Sequence, residues 1–260
     1  MHTSTSHIHS FGDLRSLLHQ RPSASNWDLI CDYLDALPEP HLEEVTHYLL
    51  THLTHWPAKL RHAPHPWLMR ALNQPLTPHW NIIRSASINT ALPALPSQHF
   101  IAPLQHIHFN HPQSPRVLLA LQPLLLNFQH MHIEHWQSSP QRLILTLHNL
   151  KLPALHSLSI NHCRLNSAAI QHLCASSWFP QLKRINLAHN LIDDAALHDL
   201  LSLSGTHLQH LNLSHNLITI DGARLLIQHP KSQQLLTLSM HHNTRIKPHH
   251  LQSLLRLHTI

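Results

Sequence analysis

The chain has 260 residues, 42% of them hydrophobic, which is enough apolar material for one large domain or two. Only 11% of residues are Asp, Glu, Lys or Arg, and 33 histidines supply much of the missing polarity, so the formal charge of +5 holds only while every His is neutral. The three glycines, Gly12, Gly205 and Gly222, cannot build a phosphate-cradling GxxxxGK, a dinucleotide GxGxxG or a nucleophile-elbow GxSxG, which excludes those reaction classes.

The first residues, MHTSTSHIHSFGDLRSLL, lack the basic start and unbroken apolar run of a signal peptide. The longest apolar stretch, VLLALQPLLL at 117–126, falls well short of the ~20 residues that span a bilayer. Cys31, Cys163 and Cys174 are odd in number and form no CxxC pair, which argues for a reducing compartment. The expectation is a cytoplasmic protein with no membrane partner. Residues 1–44 are net acidic, whereas 45–192 are strongly basic with Glu134 as their one acid, a division that suits internal docking or an acidic partner.

Residues 11–75 read as short helices, FGDLRSLLHQ, SNWDLICDYLDAL and HLEEVTHYLLTHLTHW, punctuated by Pro38, Pro40, Pro57, Pro64 and Pro66. Trp27, Trp56 and Trp67 are expected to seal this piece, and 1–79 is assigned as a helical cap for the remainder of the chain. LPEPHLEEVTHYL followed by LRHAPHPW also resembles an F-box, which implies a ubiquitin-ligase adaptor role; its prolines at 64 and 66 depart from that pattern. HLEEVTH lacks the HExxH spacing of a zinc hydrolase, Cys31 has no evident base, and no catalytic set emerges from 1–103.

From Leu104 onward the chain repeats itself. The pattern L-x-x-L-x-L-x-x-N-x-L starts at Leu104, Phe128, Leu155, Leu182, Leu208 and Leu235, at intervals of 24 to 27 residues, with a weaker unit near Trp80. Positions 4 and 6 are apolar in all six, which predicts a short strand with those side chains inward and position 5 outward. Ile170 and Leu173, Leu197 and Leu200, Ala223 and Leu226 then recur at i, i+3, the mark of a helix with one buried face. Asp193, Asp194 and Asp221 stand where such helices begin.

This pattern resembles the leucine-rich repeat family, and its period with a helix in each unit resembles the ribonuclease-inhibitor-like branch. The resemblance implies an α/β solenoid over 80–260, with parallel strands on a concave face, helices on the convex face, and the α-helical N-terminal cap before it. It also implies that position 9 bonds the backbone of the turn. Asn190, Asn216 and Asn243 match, Cys163 is a tolerated substitute, and Pro112 and Trp136 do not match.

Histidine has a register of its own. Position 8 is His111, His135, His162, His189, His215 and His242, expected to form a row along one rim. His106, His108, His130 and His132, at positions 3 and 5 of the first two units, should form a patch. Three readings stand: letters copied by duplication, a surface whose charge rises with acidity, and a metal site in the patch. Lys183 and Arg184 add fixed charge, but aromatic interleaving is absent and phosphate neutralisation would be weak, so nucleic acid is not the expected partner. A non-catalytic protein-binding module without cofactor is expected, gripping a partner through His106, His108, His130, His132, His162, Arg184, Asn186, His189, His210, Asn212, His215 and His242. The apolar end, Leu254, Leu255, Leu257 and Ile260, suggests self-association.

Overall fold

The computed structural model describes residues 8, 10–71, 74, 76–92, 104–136, 139–202 and 207–243. The C-terminal leucines, and with them the expectation of self-association, lie outside the described residues. Two compact units are present, one drawn from 1–87 and 94–107, the other from 88–93 and 108–260.

The first unit contains α1 (Phe11–Leu18), α2 (Ala24–Ala36), α3 (Glu39–His52) and α4 (His65–Ala71), followed by the strand β1 (Ser85–Ile88), whose last residue falls in the second unit. Ser10 and Ser23 cap α1 and α2 through their side chains, and Pro38, which cannot donate, opens α3. Trp27, Trp56 and Trp67 are all buried. The Trp27 indole donates to the His62 carbonyl at 2.7 Å, and that of Trp67 donates to the Asp35 carboxylate at 2.9 Å. Residues 61–63 then lie alongside β1: the Arg61 carbonyl accepts from the amides of Arg84 and Ser85, and the Ala63 amide donates to Ser85. Within the cap sequence, 61–63 is thus an edge segment that pairs as the repeats do.

The second unit carries the repeats. After β2 (His106–Phe109), which straddles the division, come α5 (Pro115–Ala120), α6 (Gln122–Leu125), β3 (His130–Glu134), α7 (Pro140–His148), β4 (Ser157–Asn161), α8 (Ser167–Cys174), β5 (Arg184–Asn186), α9 (Asp194–Ser202), β6 (His210–Asn212), α10 (Ile220–Gln228) and β7 (Thr237–Ser239). The strands follow one another in the sheet in chain order, and β3 to β7 are each parallel to the next. Met131, Leu158, Ile185, Leu211 and Leu238, all at position 4, stand in register across the five strands. Eleven of the twelve position-4 and position-6 side chains are buried; Leu238, in the last described strand, is half-buried. One carbonyl, at position 2, accepts two amides from the following unit, as Gln129, His156, Lys183 and Gln209 all do.

The helices bury the faces the spacing predicts: Ile170, Leu173, Leu197, Leu200, Ala223 and Leu226 are all in the core. Their starts are linked from unit to unit. Asn166 caps α8 through the Ala169 amide, while Asp193 accepts from Ala196 at 2.9 Å and from the Ser167 hydroxyl at 2.7 Å. Burial alone pushes the Asp193 carboxyl up, but these bonds outweigh it and hold the group below its ordinary value. Thr219 caps α10, and Asp221 sits in its first turn, as its place in the repeat predicts, and pairs with Arg224 at 3.2 Å.

Asp194 receives both the amide and the hydroxyl of Thr219, which presses α10 close to the start of α9. A Cβ on Gly222 would lie 2.0 Å from the Asp194 Oδ1. Gly-to-Ala inside a helix ordinarily stabilises by about 1 kcal/mol. Here Gly222→Ala should instead destabilise by roughly 1–3 kcal/mol, because the anchored carboxylate must be displaced. Denaturant unfolding of the variant checks the sign.

Candidate functional site

The turn after each strand is set by position 9. Asn190 donates to the carbonyls of Ile160, Leu187 and Ala188 and accepts from the amides of Cys163 and Leu165, all at 2.7–3.1 Å. Asn216 and Asn243 repeat the arrangement, and all three are buried. Cys163 bonds the Asn161 carbonyl at 3.0 Å. In the first of the six units Pro112 cannot act this way, and Gln113 takes over one residue later. It accepts from the Leu92 amide and donates to the Thr90 and His111 carbonyls.

Drawing position 9 inward forces position 8 into the left-handed region. His135, His162, His189, His215 and His242 have φ between 52° and 57°. Non-glycine residues adopt that conformation uncommonly, and His, Asn and Asp do so several-fold more readily than others. In a chain so poor in glycine, histidine therefore has a backbone reason to be there. The five turns repeat one geometry, so the rings fall into a column. Successive centroids are 4.8, 4.1, 3.9 and 4.5 Å apart, with interplanar angles of 13–21°. Close packing of like-titrating rings disfavours protonation. The imidazoles of His189 and His215 are lowered below the ordinary His value by desolvation first, then by each other's neighbours: His162, His241 and His242 around His189, and His189, His242 and His241 around His215. His111 does not share the conformation; its Nδ1 lies 2.9 Å from the Pro112 carbonyl.

Beside the column, positions 3 and 5 of β4 to β7 line an open depression of about 440 Å³. Arg184, Asn186, His210 and Asn212 meet there as the repeat predicts, together with Ser157, Ser159, Thr237 and Ser239, which were not among the expected contact residues. Arg184 is exposed. His210 Nδ1 lies 2.8 Å from the Thr237 hydroxyl. Asn186 and Asn212 each use their oxygen on the amide two residues ahead.

The residues of the patch predicted from the first two repeats are divided between the two compact units. His106 belongs to the first unit, while His108, His130 and His132 belong to the second. His108 and His132 stack at 5.1 Å, and His132 Nε2 lies 2.8 Å from Glu134. Glu134 is held below the ordinary carboxylate range: burial raises it, and the bond and charge of His132, the bond with Asn161 and the charge of His135 together more than reverse this. Burial, then Arg184 and His156, keep His130 easier to deprotonate than usual. Among the described residues, the group with converging ligand atoms is not this patch but His215, His241 and His242. His241 stands at position 7 and was not among the expected residues. Cys31, Cys163 and Cys174 are buried and unpaired, and burial pushes the thiols of Cys163 and Cys174 up to about 12.

Among the described residues no helix is long and apolar enough to cross a membrane. No protein-family model matches the chain. A stretch of 82 residues, 30% of the chain, is 37% identical to Protein NLRC5 of Mus musculus, a leucine-rich-repeat protein. The matched stretch spans 4% of that protein's length. That likeness, with a parallel sheet whose strands alternate with helices, fits a leucine-rich-repeat-like solenoid and, by that likeness, suggests a protein-interaction module.

Proposed function

We propose that this chain is a non-catalytic recognition module of the ribonuclease-inhibitor-like kind, acting in the cytoplasm behind a helical cap, and that it binds an acidic segment of a protein partner. The observation that carries the proposal is the polar depression over β4 to β7, with exposed Arg184 inside it and the imidazole column beside it. Side chains projecting from a stacked sheet can be exchanged without disturbing the interior, which suits them to recognition. The period of 24 to 27 residues supports the subtype, and the free buried thiols support a reducing compartment.

The column makes the grip acid-strengthened. His189 and His215 take up protons below the ordinary 6.5, so positive charge accumulates beside Arg184 as pH falls through and beyond that value. Affinity for an acidic partner should therefore rise from pH 7.5 to pH 6. Affinity capture at both values, wild type against Arg184→Glu with His189→Asn and His215→Asn, which tolerate the left-handed backbone but cannot titrate, tests this with mass-spectrometric identification. The proteins bound more strongly at pH 6 should be lost from the triple variant while its melting temperature stays unchanged. Equal capture by the two proteins removes the depression from consideration as the binding face.

A further inference from the structure

Three histidines converge at the C-terminal end of the column, where Ser239 also lines the depression. His215, His241 and His242 each bring one ring nitrogen to within 4.8 Å of the other two. His241 stands edge-on to both, at 5.7 Å from His215 and 5.1 Å from His242, each at 82°. Its Nδ1 is held by the Ser239 hydroxyl at 2.8 Å and the Ser214 hydroxyl at 3.1 Å. Those hydroxyls are themselves joined at 2.8 Å, and Ser214 is buried. One edge of the ring is thereby fixed, leaving Nε2 at the other. Metal-bound imidazoles use the same division, one nitrogen anchored by a polar group and the other facing the cation.

We propose that His215, His241 and His242 bind a divalent transition-metal cation of the zinc class, with Ser239 and Ser214 as positioning residues for the His241 ring. Three neutral imidazoles and an open fourth position for water make a set suited to zinc, copper or nickel, and the lack of oxygen ligands disfavours magnesium and calcium. Nitrogens that share a zinc ion at ~2.0–2.1 Å stand about 3.3 Å apart, so the rings must draw in by an ångström or so. The exposed ring of His242 can rotate to do so while His241 keeps its hydroxyl partners. The backbone beneath them is already set: the His215 amide donates to the His241 carbonyl at 3.0 Å, and buried Asn243 anchors the turn. Parallel rings cannot both point in-plane at one ion, so binding separates His242 from its stack on His215.

Zinc chloride titrated calorimetrically into the full chain at pH 7.5 tests the site, with calcium chloride as control. One event per chain should stand above the diffuse background of a histidine-rich surface, and calcium should give none. His241→Ala should weaken that event at least tenfold. Ser239→Ala, which keeps all three ligands, should weaken it about tenfold. The double variant His108→Ala, His132→Ala should titrate as wild type. Equal titrations for wild type and His241→Ala overturn the site, as does equal loss in the double variant. Loss in His241→Ala with no change in Ser239→Ala keeps the ligands and overturns the role of the hydroxyls.

Discussion

Asn216→Ala should destabilise the repeat unit by about 3–5 kcal/mol, a large part of the roughly 5–15 kcal/mol that holds a domain folded. The side chain donates to the carbonyls of Leu187, Leu213 and Ser214 and accepts from the Ile192 amide, at 2.9–3.1 Å and out of contact with water. Alanine leaves four backbone groups without their partner where no solvent can replace it. Each net hydrogen bond contributes about 0.5–1.5 kcal/mol, and each stranded buried group adds to the loss. Two of the four groups belong to the preceding unit, so the damage crosses the interface on which a stacked fold depends. Asn216→Cys should cost less, since Cys163 fills the same place and satisfies the Asn161 carbonyl through its thiol. Urea unfolding followed by circular dichroism ranks wild type, Cys and Ala. An Ala midpoint equal to that of wild type would contradict the reading of position 9.

The buried half of each repeat was legible because burial leaves a period. Ile160, Leu187 and Leu213, all at position 6, recur at intervals of 27 and 26 residues and are fully buried. The unit foreseen near Trp80 in fact starts at Ile83, with Ala86 and Ile88 facing inward; a small residue and a 21-residue interval to Leu104 blurred it. The segment at 61–63 carries only the hydrogen-bond habit of a repeat and almost none of its letters. Gln113 escaped notice because it does the work of position 9 from position 10, which a fixed template cannot register. Histidine at position 8 was visible as a row, but its cause is conformational. Positive φ is a property of the turn that no periodicity reports. Ser157, Ser159, Thr237 and Ser239 were overlooked for a different reason: small polar residues are common, and only the register of adjacent strands shows that they share a wall with Arg184.

Acid should unfold the first unit through His79. This ring is buried against Trp67, with centroids 4.0 Å apart, and its Nε2 lies 2.9 Å from the Thr77 hydroxyl, while Nδ1 has no partner. Burial drives its pKa down to about 4; Asp35 opposes the shift and Arg70 adds to it. The unfolded chain takes up this proton near 6.5, so between 6.5 and 4 it binds more protons than the folded chain. The stability contribution is therefore complete above 6.5 and lost as pH falls toward 4, by up to about 3 kcal/mol. His62, lowered by burial against an opposing Asp28, acts in the same direction. His79→Phe retains a ring against Trp67 but cannot titrate. Its absolute stability shifts because Thr77 loses a partner, so the informative quantity is the slope of unfolding free energy with pH. That slope should flatten between 6.5 and 4 in the variant, read from tryptophan fluorescence during denaturant unfolding. Were wild type and variant to lose stability in parallel over this range, the acid sensitivity would belong to other groups, and the imidazole would take up its proton in the folded unit as readily as in the unfolded chain.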